Sequence, residues 1–192
     1  MKQIICLLTL IILMAGCAPK EKKSNNETSR NKATMQRFYD DVFNKHNTAK
    51  IDSLVAPDYL EHNVDPGYAN NREGMKKLLN DFFVSYPDIY GKINFMLADS
   101  DMVMVHFTMR GTNSGPSGGM PATNKMINLD GVDIMRFNKD GLGCEHWGYM
   151  EELKMMDQLG MLPPNNPMPD TVKPKKVQKK KPKINVQFQE KK

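Results

Sequence analysis

The chain has little that could hold it together covalently or carry it through a membrane. Its longest apolar run, Ile4 to Met14, is broken only by Cys6 and Thr9. That is short of the about 20 residues a membrane-crossing helix needs. With Lys2 ahead of it and the small residues Ala15 and Gly16 behind, it has the layout of a secretory signal peptide. Cysteine is scarce: Cys6, Cys17 and Cys144 are the only three. Cys6 leaves with the leader, and no Cys/His spacing matches a zinc site. A disulfide framework is therefore not expected, and neither is a metal. Cys144 shares a strand face with His146, yet an isolated cysteine is most often a small buried hydrophobe. Tryptophan occurs once, at Trp147.

The leader ends Met14-Ala15-Gly16-Cys17, which resembles a bacterial lipobox with Met14 where Leu is more usual. The resemblance implies cleavage before Cys17 and a diacylglyceryl group on its thiol. The expectation is an exported protein, lipid-anchored in the bacterial cell envelope at the outer membrane or cell surface.

Basic charge is sparse where folding is expected. The formal net charge is +5, but Lys173 to Lys192 contributes +8 and Lys20 to Lys32 another +3. Ala33 to Val172 carries 12 basic and 19 acidic residues. An acidic centre with basic ends is unlike a nucleic-acid-binding domain, where basic residues gather on a folded face. The tail, rich in Lys and Pro and poor in apolar groups, reads as disordered. Anionic lipid or polysaccharide would suit it, as would plain solvation.

Four regions follow: a signal peptide over 1–16, a lipidated flexible tether over 17–32, a folded domain over 33–168 and a basic tail over 169–192. The folded part suffices for one domain with a real core. It opens with a helix from Thr34, since Met35, Phe38, Tyr39, Val42 and Phe43 recur at helical spacing. A short helix over Lys50–Val55 ends at Pro57. A third helix, Arg72 to Ser85, stops ahead of Pro87. The period then becomes two. Ile89–Leu97, Met102–Arg110 and Met126–Phe137 read as strands, with a Gly/Pro/Ser-rich connection over Gly111–Thr123. Asn138-Lys139-Asp140-Gly141 is a hairpin turn. Helices first and a strand meander after them give an α+β fold, with a sheet curled over helices.

The richest chemistry lies in Gly141–Gly160, a strand running into a helix that stops at a glycine. Alternation puts Glu145, Trp147 and Tyr149 on one face, with Glu151 at the strand's end and His146 on the opposite face. The carboxylates around the lone tryptophan suit a pocket wall.

Five segments also resemble one family: Ala56–Asn63 (APDYLEHN), Tyr86–Ile93 (YPDIYGKI), Gly111–Lys125 (GTNSGPSGGMPATNK), Gly131–Gly141 (GVDIMRFNKDG) and Glu145–Gly160 (EHWGYMEELKMMDQLG). Their order and spacing are similar to those of the SnoaL-like polyketide cyclase, or ester cyclase, family. The resemblance implies a nuclear transport factor 2-like fold, a cone-shaped barrel of strongly curved antiparallel sheet wrapped around N-terminal helices. It implies ring closure by intramolecular aldol condensation, with no metal or cofactor. It also implies that Glu151, four residues after Trp147, takes the place of the family's acid/base aspartate. Asn113 stands where many members have histidine. Glutamate is of similar acidity (about 4.3 against about 3.9), but its longer chain displaces the carboxylate, and a shift of about 1 Å can cost on the order of 10²-fold in rate.

The candidate catalytic residues are thus Glu151, His62 and Asn113, with Trp147, Glu145, Tyr149, His106 and Arg136 as pocket residues and Cys17 as the lipidation site. Each has a bland counterpart: His62 can cap a surface turn, His106 can be a satisfied sheet histidine, and Arg136 can form a cross-strand ion pair. His146 is expected to pack on the other face of the sheet. Of the sixteen methionines, many fall near the sheet, where they tolerate varied apolar ligands and equally fill a core. Three functional readings stand side by side. In the first, a carboxylate beside Trp147 moves a proton α to a carbonyl, with Asn113 and His62 polarising the enolate oxygen. In the second, a non-catalytic lipoprotein captures a small apolar molecule. In the third, the fold serves as a homodimer scaffold.

Overall fold

The computed structural model describes residues 21–162. The signal peptide, Cys17 and the lysine-rich tail lie outside the described residues. Helix α1, Glu21–Arg37, passes directly into a π-helical turn, Phe38–Phe43, and a 3-10 turn follows at Thr48–Ser53. Strand β1, Val55–Glu61, precedes helix α2, Arg72–Ser85. Four strands then run as a meander: β2 Tyr90–Asp99, β3 Met102–Thr112, β4 Met126–Phe137 and β5 Gly143–Met150. Helix α3, Glu152–Leu159, is the last element among the described residues.

The strands form one sheet in the order β1-β5-β4-β3-β2. The α+β class is as expected, with two differences in the sheet. It is mixed, because β1 runs parallel to β5 while the other three pairings are antiparallel. It is also open, with β1 and β2 as its edges. The stretch around Pro57, read as the end of a helix, belongs to β1. An edge strand tolerates a proline because one side of its backbone needs no ladder partner. The short helix expected beside it is the 3-10 turn.

The polar segment before Thr34, expected as a flexible tether, is helical from Glu21. Tertiary contacts near its end account for this, since short helices in water depend on packing more than on propensity. Asn31 is buried at 2% exposure. Arg30 donates to the carbonyl of Lys139 at 3.0 Å, and the Thr34 hydroxyl donates to that of Gly141 at 3.2 Å.

Helix α2 has the expected bounds. Its N-cap Asn71 accepts from the Gly74 N–H at 2.9 Å, satisfying one of the amides a helix start leaves free. Helix α3 ends at Gly160, whose φ of 71° is the left-handed conformation that glycine adopts without a Cβ penalty.

Alternation along the strands separates two faces. Val103, Val105, Phe107 and Met109 of β3 are buried, as are Leu129, Met135 and Phe137 of β4. They meet Met35, Tyr39 and Val42 of the N-terminal helical segment in one core. The alternate residues form the other face. Cross-strand rows there are Leu97–Met104–Ile134–Trp147 and Phe95–His106–Val132–Tyr149. Phe95, Leu97 and Tyr149 are each about half exposed, at 50%, 57% and 54%.

Candidate functional site

The expected site residues divide between distinct places. Four of them meet on the sheet face away from the helices. The His62 ring lies parallel to Trp147, 3° between planes and 4.3 Å between centroids. Its Nε2 is 2.8 Å from Glu145 Oε2, and Arg136 donates to the other Glu145 oxygen at 2.5 Å. The His62 and Arg136 hydrogen bonds hold the Glu145 carboxyl below its ordinary range. Arg136 also reaches over the Trp147 ring at 5.7 Å. His106 and Tyr149 sit further along the same face, with His106 stacked on Phe95 at 5.0 Å and within 3.1 Å of the Asn94 amide.

Glu151 and Asn113 do not join that group. Glu151 stands where β5 ends and leaves the β4 edge unpaired. Its backbone N–H donates to the Asp130 carbonyl at 3.3 Å, and its carboxylate accepts the Asp130 N–H at 2.9 Å. Lys154 donates to the same carboxylate oxygen at 2.5 Å. About two helical turns on, Gln158 treats Asn128 in the same way, accepting its N–H at 2.8 Å and donating to its carbonyl at 3.2 Å. Two side chains thus extend the ladder past the last strand. Asn113 is 1% exposed and ties the 113–125 connection to the end of α2. Its amide donates to the carbonyls of Gly115 at 3.0 Å and Ser85 at 3.4 Å. Its side-chain oxygen accepts from the N–H and hydroxyl of Thr123 at 2.8 and 3.0 Å. The cause is packing: the amide lies at a crossing of two chain segments whose backbone groups have no ladder partner.

The helix-facing side of the sheet holds a second constellation. Asp133 on β4, His146 on β5 and Glu61 at the end of β1 project from neighbouring strands, with Glu61 in register with His146. His146 Nδ1 lies 2.7 Å from Glu61 Oε2, and its Nε2 lies 3.3 Å from Asp133 Oδ1. Tyr59 donates to Glu61 at 2.5 Å, and Tyr39 from the π-helical turn donates to Asp133. The Asn63 N–H adds a third hydrogen bond to Glu61 at 3.0 Å.

Burial opposes charge on His146, but the hydrogen bonds and charges of Asp133 and Glu61 outweigh it. The imidazole pKa is pushed up to about 10, so at neutral pH it is an imidazolium. Burial works against the charge of Glu61 as well, and the contacts to His146, Tyr59 and the Asn63 N–H still bring its pKa below the ordinary value. Burial and the neighbouring carboxylates push both phenols up, Tyr39 through Asp133 and Tyr59 through Glu61, so both stay protonated donors. Side-chain accessibility is 17% for His146, 15% for Glu61 and 20% for Asp133.

Strand alternation puts His146 on the opposite face from Trp147, as the structure does, whereas no local pattern marks Glu61, Tyr39 or Tyr59 as its neighbours. A signal existed for Asp133: it is a carboxylate in phase with Gly131, Met135 and Phe137, the core-facing positions of β4. Among the described residues, cavities also lie elsewhere. One is a small apolar void of about 10 Å³ between α1 and the sheet, lined by Met35, Phe38, Leu54 and Met135. Another is an open cleft of about 580 Å³ outside α2, whose charged residues pair with each other, Lys76 with Asp52 and Lys77 with Asp81, both at 2.6 Å.

The sequence model of the SnoaL-like polyketide cyclases matches residues 33–159. The chain belongs to that family. Solved structures agree in fold. TsrD from Streptomyces laurentii is 24% identical, with a TM-score of 0.63 over 70% of this chain and 97% of its own. AclR from Streptomyces galilaeus is 23% identical, with a TM-score of 0.64 over 76% and 88%. A SnoaL-like polyketide cyclase from Agrobacterium tumefaciens is 12% identical, with a TM-score of 0.57 over 68% and 98%. No curated protein matches the sequence. For a SnoaL-like chain, the notable point is that two polar clusters lie on opposite faces of the sheet, and only one faces the helices.

Proposed function

We propose that this SnoaL-like protein performs cofactor-free acid–base chemistry on a hydrophobic carbonyl compound, an aldol cyclisation or an isomerisation. The observation that carries the reading is His146 held as a cation between two carboxylates on the helix-facing side of the sheet. Glu61, tied by three donors, is the fixed partner that orients the imidazolium. Asp133 is the base: it has fewer hydrogen bonds than Glu61 and a longer contact to His146. The α-proton passes to Asp133, the C–H electron pair becomes the enolate double bond, and the adjacent imidazolium stabilises the charge that develops.

The setting we propose is the bacterial cell envelope, with the chain anchored through lipid on Cys17 and drawing on small apolar molecules there. The Met14–Cys17 sequence supports this, and among the described residues no helix is long and apolar enough to cross a membrane. A Cys17→Ser protein that still partitions into detergent and carries no missing lipid mass would count against the anchor.

A second reading, a non-catalytic binding lipoprotein, draws support from the way the cluster's donors and acceptors satisfy one another. The two are separated by incubating the protein with β-tetralone in deuterium oxide. Catalysis predicts α-hydrogen exchange faster than in buffer, whereas a binding module gives a ligand-dependent rise in Tm with no exchange.

A further inference from the structure

The Tyr39 hydroxyl deserves a role of its own, and we infer that it is the donor that receives the substrate's carbonyl oxygen as it becomes an enolate. The inference rests on the acid–base reading of the Asp133 site. Three observations lead to it.

The first is local backbone structure. The Asn44 N–H bonds the Tyr39 carbonyl and the Asn47 N–H bonds that of Val42, each five residues back. The α-helix thus widens into a π-turn over Phe38–Phe43. Such turns are uncommon and collect at functional sites. Here the turn directs Tyr39 towards the sheet.

The second is packing. The Tyr39 ring lies 6.0 Å from the Phe43 ring and 5.9 Å from the Phe107 ring. A side chain at Gly91 would bring its Cβ within 3.3 Å of the Tyr39 ring. The phenol is fixed in place by its neighbours, which is the preorganisation an oxyanion donor needs.

The third is chemical. Burial first, and the Asp133 carboxylate beside it, push the phenol pKa well up, so the group remains an O–H donor. At rest it donates to Asp133 Oδ2, while Asp133 Oδ1 faces His146. A donor and a base in direct contact span the two places a carbonyl compound must be touched, its oxygen and the α-hydrogen beyond the carbonyl carbon. When the carbonyl oxygen takes over the Tyr39 O–H, Asp133 Oδ2 is released to accept the α-proton. The C–H pair forms the enolate double bond and the carbonyl π pair moves to the oxygen that Tyr39 holds. No redox partner is required. Loss of the donor would therefore weaken binding of anything that presents an enolate-like oxygen, and leave apolar binding unaltered.

β-Naphthol is the probe, as a flat enol with an acidic oxygen, and naphthalene is its oxygen-free control. The expected result is that Tyr39→Phe weakens β-naphthol binding on the order of tenfold to hundredfold and leaves naphthalene binding unchanged. In the unaltered protein labelled at tyrosine Cζ, one resonance moves on adding β-naphthol and stays in place with naphthalene. This second measurement decides the matter if Tyr39→Phe does not fold. Equal β-naphthol affinity in both proteins, or no β-naphthol binding at all, overturns the inference. The β-tetralone exchange reports separately: absent exchange with the Tyr39 contrast intact removes the acid–base reading and keeps the donor.

Discussion

His146 and Glu61 meet at 2.7 Å across the parallel ladder between β5 and β1. The contact joins the first described strand to the last, so the charge of one imidazole is built into the docking of the edge strand β1 on β5. Stability should depend on pH accordingly. His146 binds its proton up to about pH 10 in the folded protein, against an ordinary value of 6.5. Between those values unfolding releases a proton, so stability falls as pH rises through that window, by at most about 1.4 kcal/mol per pH unit. The Glu61 pKa is lowered from 4.5, and its contribution is lost as pH falls below that value. Urea unfolding across pH would show the alkaline slope, and His146→Gln should flatten it. An unchanged slope in His146→Gln would place the titrating group elsewhere.

Glu151 should behave as a strand-edge cap. Glu151→Ala leaves the Asp130 N–H without its acceptor and should lower stability by about 1–2 kcal/mol. Glu151→Gln retains an acceptor oxygen and should lower it by less, because the partly exposed Lys154 pair contributes little. Denaturant midpoints of the two variants decide this, and a larger loss in Glu151→Gln than in Glu151→Ala would contradict the capping role.

Asn113→Ala should be among the most damaging single changes outside the apolar core. It removes four hydrogen bonds at a site 1% exposed and should cost about 2–4 kcal/mol. Hydrogen exchange should also speed up at the amide of Thr123, which donates to Asn113. Wild-type protection at that amide would show that the carboxamide does not hold the connection.

Much of the fold was legible in the sequence because its cues are local. The 3.6-residue period over Arg72–Ser85 and the period of two over Met102–Arg110 and Met126–Phe137 state their elements directly. The Asn138–Gly141 turn does so through the Asn138 carboxamide, which accepts from the N–H groups of Asp140 and Leu142 at 3.0 and 3.1 Å. What escaped was set by pairing at a distance. Val55–Glu61 is a strand because β5 lies alongside it, although Pro57 argues locally against one. Glu21–Lys32 is helical in spite of its polarity because Arg30 and Thr34 dock on the β4–β5 turn.

The site follows the same division. Alternation along Glu145–Tyr149 told which residues share a face, but which of the two faces meets the helices depends on how the whole sheet packs. Trp147 stands out by its chemistry, whereas His146 is the residue in contact with Glu61 and Asp133. Asp133 and Glu61 lie 72 positions apart in the chain, and no local spacing could have joined them.

The most direct test of the account compares two carboxylates in one assay, the rate of β-tetralone α-hydrogen exchange in deuterium oxide at neutral pH. The account predicts that Asp133→Asn reduces the rate to that of buffer while Glu151→Gln retains most of the wild-type rate. Loss of exchange in Glu151→Gln with exchange preserved in Asp133→Asn would contradict it, and would return the chemistry to the end of β5.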